Sequence, residues 1–284
     1  MTSRLDAIVR TLATRREAEE AALVLTALGI EHLVEHDQDG WRLVVDGADA
    51  ARAGAALDEV ARERSPSADA VPLRPITLAG VHVAVVLALI YLWTGARAGR
   101  SALFAAGEAD ARAILHGEWW RAVTALTLHA DGMHLLGNAL FVALFIGVLG
   151  GAVGTGVGLW ITLVAGAGGN LLNAWFRAPL HQAVGASTAV FGAVGALSGV
   201  AAQARWRGAR STPPWVALGA GVALLAMLGS NVASDVGAHA LGFVVGVPLG
   251  FGAAMLPRLG RAWQLTLSVL ALMAVATAWR AVLG

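Results

Sequence analysis

Two regimes of hydrophobic patterning divide the chain. Up to about residue 64 the apolar positions come in short stretches broken by charges; from about residue 76 they run on at membrane-spanning length. In the first regime "DAIVRTLA" reads as a strand, and "RREAEEAALVLTALG" repeats at helical spacing with Gly29 as its stop. "EHLVEH" and "WRLVV" flank the turn-forming "DQDG" as a hairpin does, and "DAARAGAALDEVARER" predicts a second helix. This β-α-β-β-α order predicts a small soluble α+β domain over residues 1–64. The Pro- and Ser-rich "SPSADAVPLRP" then reads as a linker, over 65–75.

The second regime predicts seven membrane spans, near 76–94, 133–151, 155–176, 187–203, 214–230, 236–256 and 263–282. The fold class expected is an all-α polytopic membrane protein with that small α+β domain at its N-terminus. The long connection 95–132 carries amphipathic material of its own, "EADARAILHGEWWRAVTALTLH". Its Trp119 and Trp120 suit the headgroup region of a bilayer.

Composition agrees with the spans. The 284 residues are 57% hydrophobic and 14% charged, too apolar for an ordinary soluble domain. Thirty-five glycines suit helices that approach closely in lipid. The absence of cysteine excludes disulfides and thiol catalysis, and a net charge of +1 suggests no nucleic-acid partner. The first twenty residues have no apolar core behind their basic residues, so they do not read as a secretory signal. Every basic residue is arginine, and "RWRGAR" (205–210) and "PRLGR" (257–261) follow the fourth and sixth spans. Both lie on the side of the N-terminal domain, which the positive-inside rule places in the cytoplasm. With seven spans the C-terminus is then external.

Ionisable and amide side chains within spans are costly and mark function by default. Three clusters qualify. "HADGMHLLGN" holds His129, His134 and Asn138, the last two sharing a helix face at a spacing of four. Ser187 opens the fourth span in "GASTAVFG", and His239 sits in "DVGAHALGFVVG" near the start of the sixth. Spans two, four and six all start on the outer side, so these residues converge at one depth. A serine within reach of a histidine is an activated nucleophile, and a helix N-terminus favours a developing oxyanion. No acidic third member is evident, which makes a Ser187–His239 dyad. Gly192 and Gly199 on span four, and Gly242 and Gly246 on span six, offer the small faces that such an approach needs.

These motifs together resemble the rhomboid family of intramembrane serine proteases, over roughly residues 75–257. "GASTAVFG" is similar to the family's Gly-x-Ser motif, with Gly185 before Ser187, and "AHALGFVVG" to its His-bearing helix, which includes Gly242. "HADGMHLLGN" resembles its His-x(4)-His-x(3)-Asn pattern, "EWWRAVTALTLH" its Trp-Arg loop motif at Trp120 and Arg121, and "GNLL" (169–172) a stretch of its third span. The resemblance implies a six-helix catalytic core, here 76–257, followed by an additional C-terminal helix within 258–284. It implies Ser187 as nucleophile and His239 as general base and acid, and it assigns the oxyanion to His134, Asn138 and the Ser187 backbone N–H. Gly185, His129, Gly242, Trp120 and Arg121 are supporting positions. The implied substrates are transmembrane proteins cut within the bilayer, with no cofactor and no metal. One departure stands out: Thr188 follows the nucleophile where the family commonly has glycine, and its bulk is expected to narrow the site.

Other readings stay open on the residues alone. Ser187 can be a packing residue, and His134 with Asn138 an interhelical polar pair. Three histidines near one face suggest metal, but no HExxH pattern appears. A non-catalytic rhomboid-like protein that binds or escorts membrane clients keeps the fold without the chemistry. A transporter shows internal repeats, and none is visible here. His116 and His181 receive no specific role.

Overall fold

The computed structural model describes residues 5–64, 75–99, 101–177, 181–208 and 235–284, with the single positions 216, 219 and 223. The chain separates into two compact units, Met1–Ala70 and Val71–Gly284.

The first unit follows the order β1 (Leu5–Leu12), α1 (Arg15–Ala27), β2 (His32–Asp37), β3 (Gly40–Asp46) and α2 (Ala50–Arg64). The antiparallel sheet has the strand order β1-β3-β2, so the hairpin β2–β3 receives β1 on its free edge. A capping box starts α1: Glu17 N–H donates to Thr14 Oγ1 (3.3 Å), and Thr14 N–H donates to Glu17 Oε2 (3.1 Å). Gly29 ends it at φ +68°, a conformation that costs glycine little. Ala18, Leu25, Ile30, Leu43, Val45, Ala53 and Leu57 form the buried core of this unit.

The second unit is helical. Its long helices among the described residues are α3 (Ala79–Thr94), α7 (Gly132–Val153), α8 (Thr155–Arg177), α9 (Ser187–Trp206), α10 (Val236–Met255) and α11 (Arg261–Leu283). All six are long and apolar enough to cross a membrane. The protein is a multi-pass membrane protein. Of the expected span 214–230 only positions 216, 219 and 223 are described, each of them helical, and the rest lies outside the described residues. Side chains such as Leu89, Leu140, Val164, Val244 and Leu272 point outward, an arrangement that suits lipid and not water. Between α3 and α7 run the short elements α4 (Ala102–Gly107), β4 (Ala109–Asp110), α5 (Ala111–Leu115) and α6 (Arg121–Thr124). They are followed by a 3₁₀ turn over Ala125–Thr127. Strand β4 pairs with β5 (Gln182–Ala183), which leads into α9.

Helix α9 is the innermost. Its most apolar stretch is 72% buried within the protein, against 17% for α11 at the periphery. It packs closest against α10 because glycines line the seam. A Cβ on Gly242, Gly246 or Gly250 of α10 would collide with the carbonyl oxygens of Thr188, Gly192 and Ala196. These contacts advance in the same direction along both helices, so α9 and α10 run parallel. The start of α9 therefore lies beside the start of α10.

The last helix is tied at both ends. Gln264 Oε1 accepts from the backbone N–H groups of Gly156 (2.8 Å) and Val157 (3.2 Å) at the start of α8. At the other end Trp279 Nε1–H donates to Thr127 Oγ1 (3.0 Å) in the loop before α7.

Candidate active site at the helix starts

Helices α7, α9 and α10 begin at one end of the bundle, and each brings a polar residue in its first two turns. The starts of α7 and α10 are capped by aspartates. Asp131 accepts from His134 N–H (2.8 Å), and Asp235 accepts from Ala238 N–H (3.1 Å). Helix α9 differs. Its N-cap is Ala186, which has no side-chain acceptor to offer. The leading N–H groups of a buried helix are thus left without a side-chain cap, at the positive end of its dipole.

Ser187 is the first residue of that helix, and its hydroxyl reaches His239 on α10. The Oγ to Nε2 distance is 2.7 Å, and both residues are buried, at 7% and 4% exposure. A hydroxyl donating to Nε2 places the imidazole proton on Nδ1, which meets no hydrogen-bond partner among the described residues. The ring stacks on Phe191, one turn along α9, with centroids 4.7 Å apart at 18°. That contact fixes the plane of the imidazole.

Gly185 precedes Ser187 at φ +127°, donating its N–H to the Ala125 carbonyl (2.9 Å). A Cβ at this position would stand 2.8 Å from His134 Nε2 and 3.5 Å from Ser187 Oγ. Glycine therefore leaves open a space that an imidazole nitrogen and the serine oxygen both border. The same geometry settles the His134 tautomer. Its Nδ1 accepts from Ala130 N–H (3.3 Å), so the proton sits on Nε2, which faces this space. Asn138, one turn further along α7, donates from Nδ2 to the His134 carbonyl (2.9 Å). One of its two amide hydrogens is thus committed within α7.

His129 is fully buried and packs edge-on against His134, with centroids 5.3 Å apart. Burial first, and the neighbouring His134 second, push its pKa down to about 3. It remains a neutral packing partner for the His134 ring. Arg121 orders the loop that carries these residues. It donates to Glu118 (2.6 Å) and to the carbonyls of Ala105 (2.9 Å) and Glu108 (3.2 Å). Trp120 is half-buried against Trp119, which is largely exposed. Asn170, from the "GNLL" stretch of α8, donates to the Ala122 carbonyl (2.9 Å) and holds α6 in place.

Thr188 points its methyl into the seam. A Cβ at Gly169 of α8 would lie 2.7 Å from Thr188 Cγ2, and one at Gly242 of α10 3.0 Å from it. The bulk that distinguishes Thr188 from the family's usual glycine is thus taken up between helices, where two other glycines make room. His181, given no role from the sequence, is bonded through Nε2 to Asp235. The spacing of fifty-four residues between them carried no signal of that pairing. Among the described residues no group of three His, Cys, Asp or Glu side chains is placed to hold a metal ion.

The model of the rhomboid domain matches residues 116–256 of this chain, a stretch that contains His134, Asn138, Ser187 and His239. Two curated proteins of Bacillus subtilis (strain 168) are similar. "Putative rhomboid protease YdcA" is 32% identical over 140 residues, which cover 49% of this chain and 69% of that protein. "Rhomboid protease GluP" is 31% identical over 131 residues, 45% of this chain and 25% of that protein. The chain belongs to the rhomboid family.

Proposed function

We propose that the chain is an intramembrane serine endopeptidase acting through a Ser187–His239 dyad. The observation that carries this reading is the buried 2.7 Å contact between Ser187 Oγ and His239 Nε2 across two spans. In the proposed reaction Nε2 takes the hydroxyl proton as Oγ attacks a peptide carbonyl. The tetrahedral oxygen is met by the Ser187 N–H at the uncapped start of α9, by His134 Nε2–H and by the free amide hydrogen of Asn138. The imidazolium then protonates the leaving amine. Water, activated by the same nitrogen, releases the acyl group from Ser187.

Substrates are transmembrane segments of membrane proteins. An intact helix hides its carbonyls in its own hydrogen bonds, so small and helix-breaking residues near the cut favour cleavage. Arginine bias supports a cytoplasmic N-terminal unit and an external C-terminus, a topology in which cleavage falls near the outer face. A protein that only escorts clients has no need of a serine hydroxyl aimed at an imidazole.

The test is cleavage of a transmembrane model substrate by purified protein. Ser187→Ala is expected to leave no measurable turnover, and a fluorophosphonate probe is expected to label Ser187 in the wild type. Cleavage by Ser187→Ala at the wild-type rate defeats the assignment.

A further inference from the structure

Asp235 lies outside the Ser187–His239 pair, yet it joins three of the elements that bring the pair together. Its Oδ1 caps α10 at Ala238, and its backbone carbonyl accepts from the N–H of His239 (3.1 Å). Its Oδ2 accepts from Nδ2 of Asn173 near the end of α8 (2.6 Å) and is bonded to Nε2 of His181. His181 stands on the segment that passes through β5 to Gly185 and Ser187, and its own carbonyl accepts from Ala111 N–H (3.0 Å). One carboxylate therefore ties the end of α8, the approach to α9 and the start of α10. The Asp235 and His181 side chains are only 11% and 23% exposed.

The charged groups around this corner are few among the described residues. Arg177 approaches from the last turn of α8. Its Nε and Asp235 Oδ1 stand 3.3 and 3.4 Å from the place a Cβ on Gly237 would take. Across the β4–β5 pair, Asp110 faces Gln182, whose Nε2 donates to it (3.3 Å). His239 follows on α10 itself, one turn past Asp235.

We infer that Asp235 is a positioning residue for His239, with His181 and Asn173 as the partners that hold its carboxylate. The inference rests on the dyad reading. One turn of rigid helix separates Asp235 from His239, so a slip of the α10 start relative to α9 changes the Oγ–Nε2 gap directly. A misplacement of about 1 Å is worth roughly a hundredfold in rate. The bonds from His181 and Asn173 hold the carboxylate from two sides, so losing either partner loosens the start of α10.

In full-length protein with a transmembrane substrate, Asp235→Asn, which keeps an N-cap and removes the charge, is expected to lower kcat about tenfold with KM little changed. His181→Ala removes one bond to the carboxylate and is expected to lower kcat about fivefold, whereas His181→Gln keeps an N–H donor and is expected to restore most of that loss. Adding His181→Ala to Asp235→Asn is expected to lower kcat by less than the product of the two single effects, since both act through one carboxylate. Wild-type kcat in Asp235→Asn overturns the proposal, as does a double variant whose two losses multiply independently. If melting shows that Asp235→Asn does not fold, the comparison of His181→Ala with His181→Gln decides instead, and equal kcat in those two overturns it. Ser187→Ala run in parallel separates the two failures. An active Ser187→Ala sinks the dyad, whereas an inactive one with wild-type kcat in Asp235→Asn sinks only the clamp.

Discussion

A hydroxyl within a membrane helix is satisfied at little cost by the carbonyl one turn earlier. Thr94, Thr162, Ser198, Thr266 and Ser268 all take that course, bonding Ile90, Gly158, Val194, Ala262 and Gln264. Ser187 does not, and its bond crosses to another helix. That contrast supports the proposed nucleophile over a packing serine. The same reasoning gives His134 and Asn138 a testable part. If their N–H groups meet the tetrahedral oxygen, His134→Ala and Asn138→Ala lower kcat by about 10²–10³ each, or roughly 3–4 kcal/mol. KM moves little, because the donors act on charge that develops only in the transition state. The double variant loses less than the product of the two, since both serve one oxygen. A purely structural pair predicts lowered melting temperatures with near-normal turnover of the folded fraction. Measuring both quantities on the same detergent-purified variants distinguishes the cases, and stable variants with wild-type kcat would end the oxyanion assignment.

At the scale of elements, the site depends on the depth of the seam between α9 and α10. Gly246 and Gly252 lie on the same helix and differ in what they face. A Cβ on Gly246 collides with the Gly192 carbonyl, while one on Gly252 meets nothing within 4 Å. Gly246→Ala is therefore expected to part the helices, costing about 1–3 kcal/mol and lowering turnover as Ser187 and His239 separate. Gly252→Ala is expected to be neutral or slightly stabilising, because alanine is the better helix former. Equal melting temperatures and rates for the two variants would show that the seam does not set the site. Much of this scale is legible in the sequence, because spans announce themselves by uninterrupted apolar length and the glycines of "GFVVG" by their spacing. The four-residue step from His134 to Asn138 likewise declares a shared face. What stays hidden lies in contacts distant along the chain. The hold of Arg121 on the Ala105 and Glu108 carbonyls, the cap that Gln264 places on α8, and the pairing of His181 with Asp235 leave no periodic trace. The room for Thr188 is hidden for the same reason, since Gly169 and Gly242 are 19 and 54 positions away but adjacent in space.

At the scale of the whole molecule, the chain forms two compact units. The first has its own buried core, a capped helix and a three-stranded antiparallel sheet. Every hydrogen bond described for the site joins residues of Val71–Gly284. We propose that residues 1–64 form a cytosolic domain that peptide-bond hydrolysis does not require, that 65–75 act as a linker, and that the core 76–257 and the helix beyond it suffice for cleavage. A unit of this size is stabilised by only a few kcal/mol, since a small core leaves little surplus over chain entropy. It is nevertheless expected to melt cooperatively when produced alone, because its hairpin, capping box and core are all internal to it. Protein lacking residues 1–70 is expected to keep kcat on a transmembrane model substrate within about twofold of the full chain, since sites without shared partners act independently. Melting of the truncated protein must be followed in the same experiment, because loss of fold and loss of activity coincide when a domain is an obligatory scaffold. A truncated protein that melts like the full chain but no longer cleaves would place the N-terminal unit within the catalytic machinery and remove the division of labour proposed here.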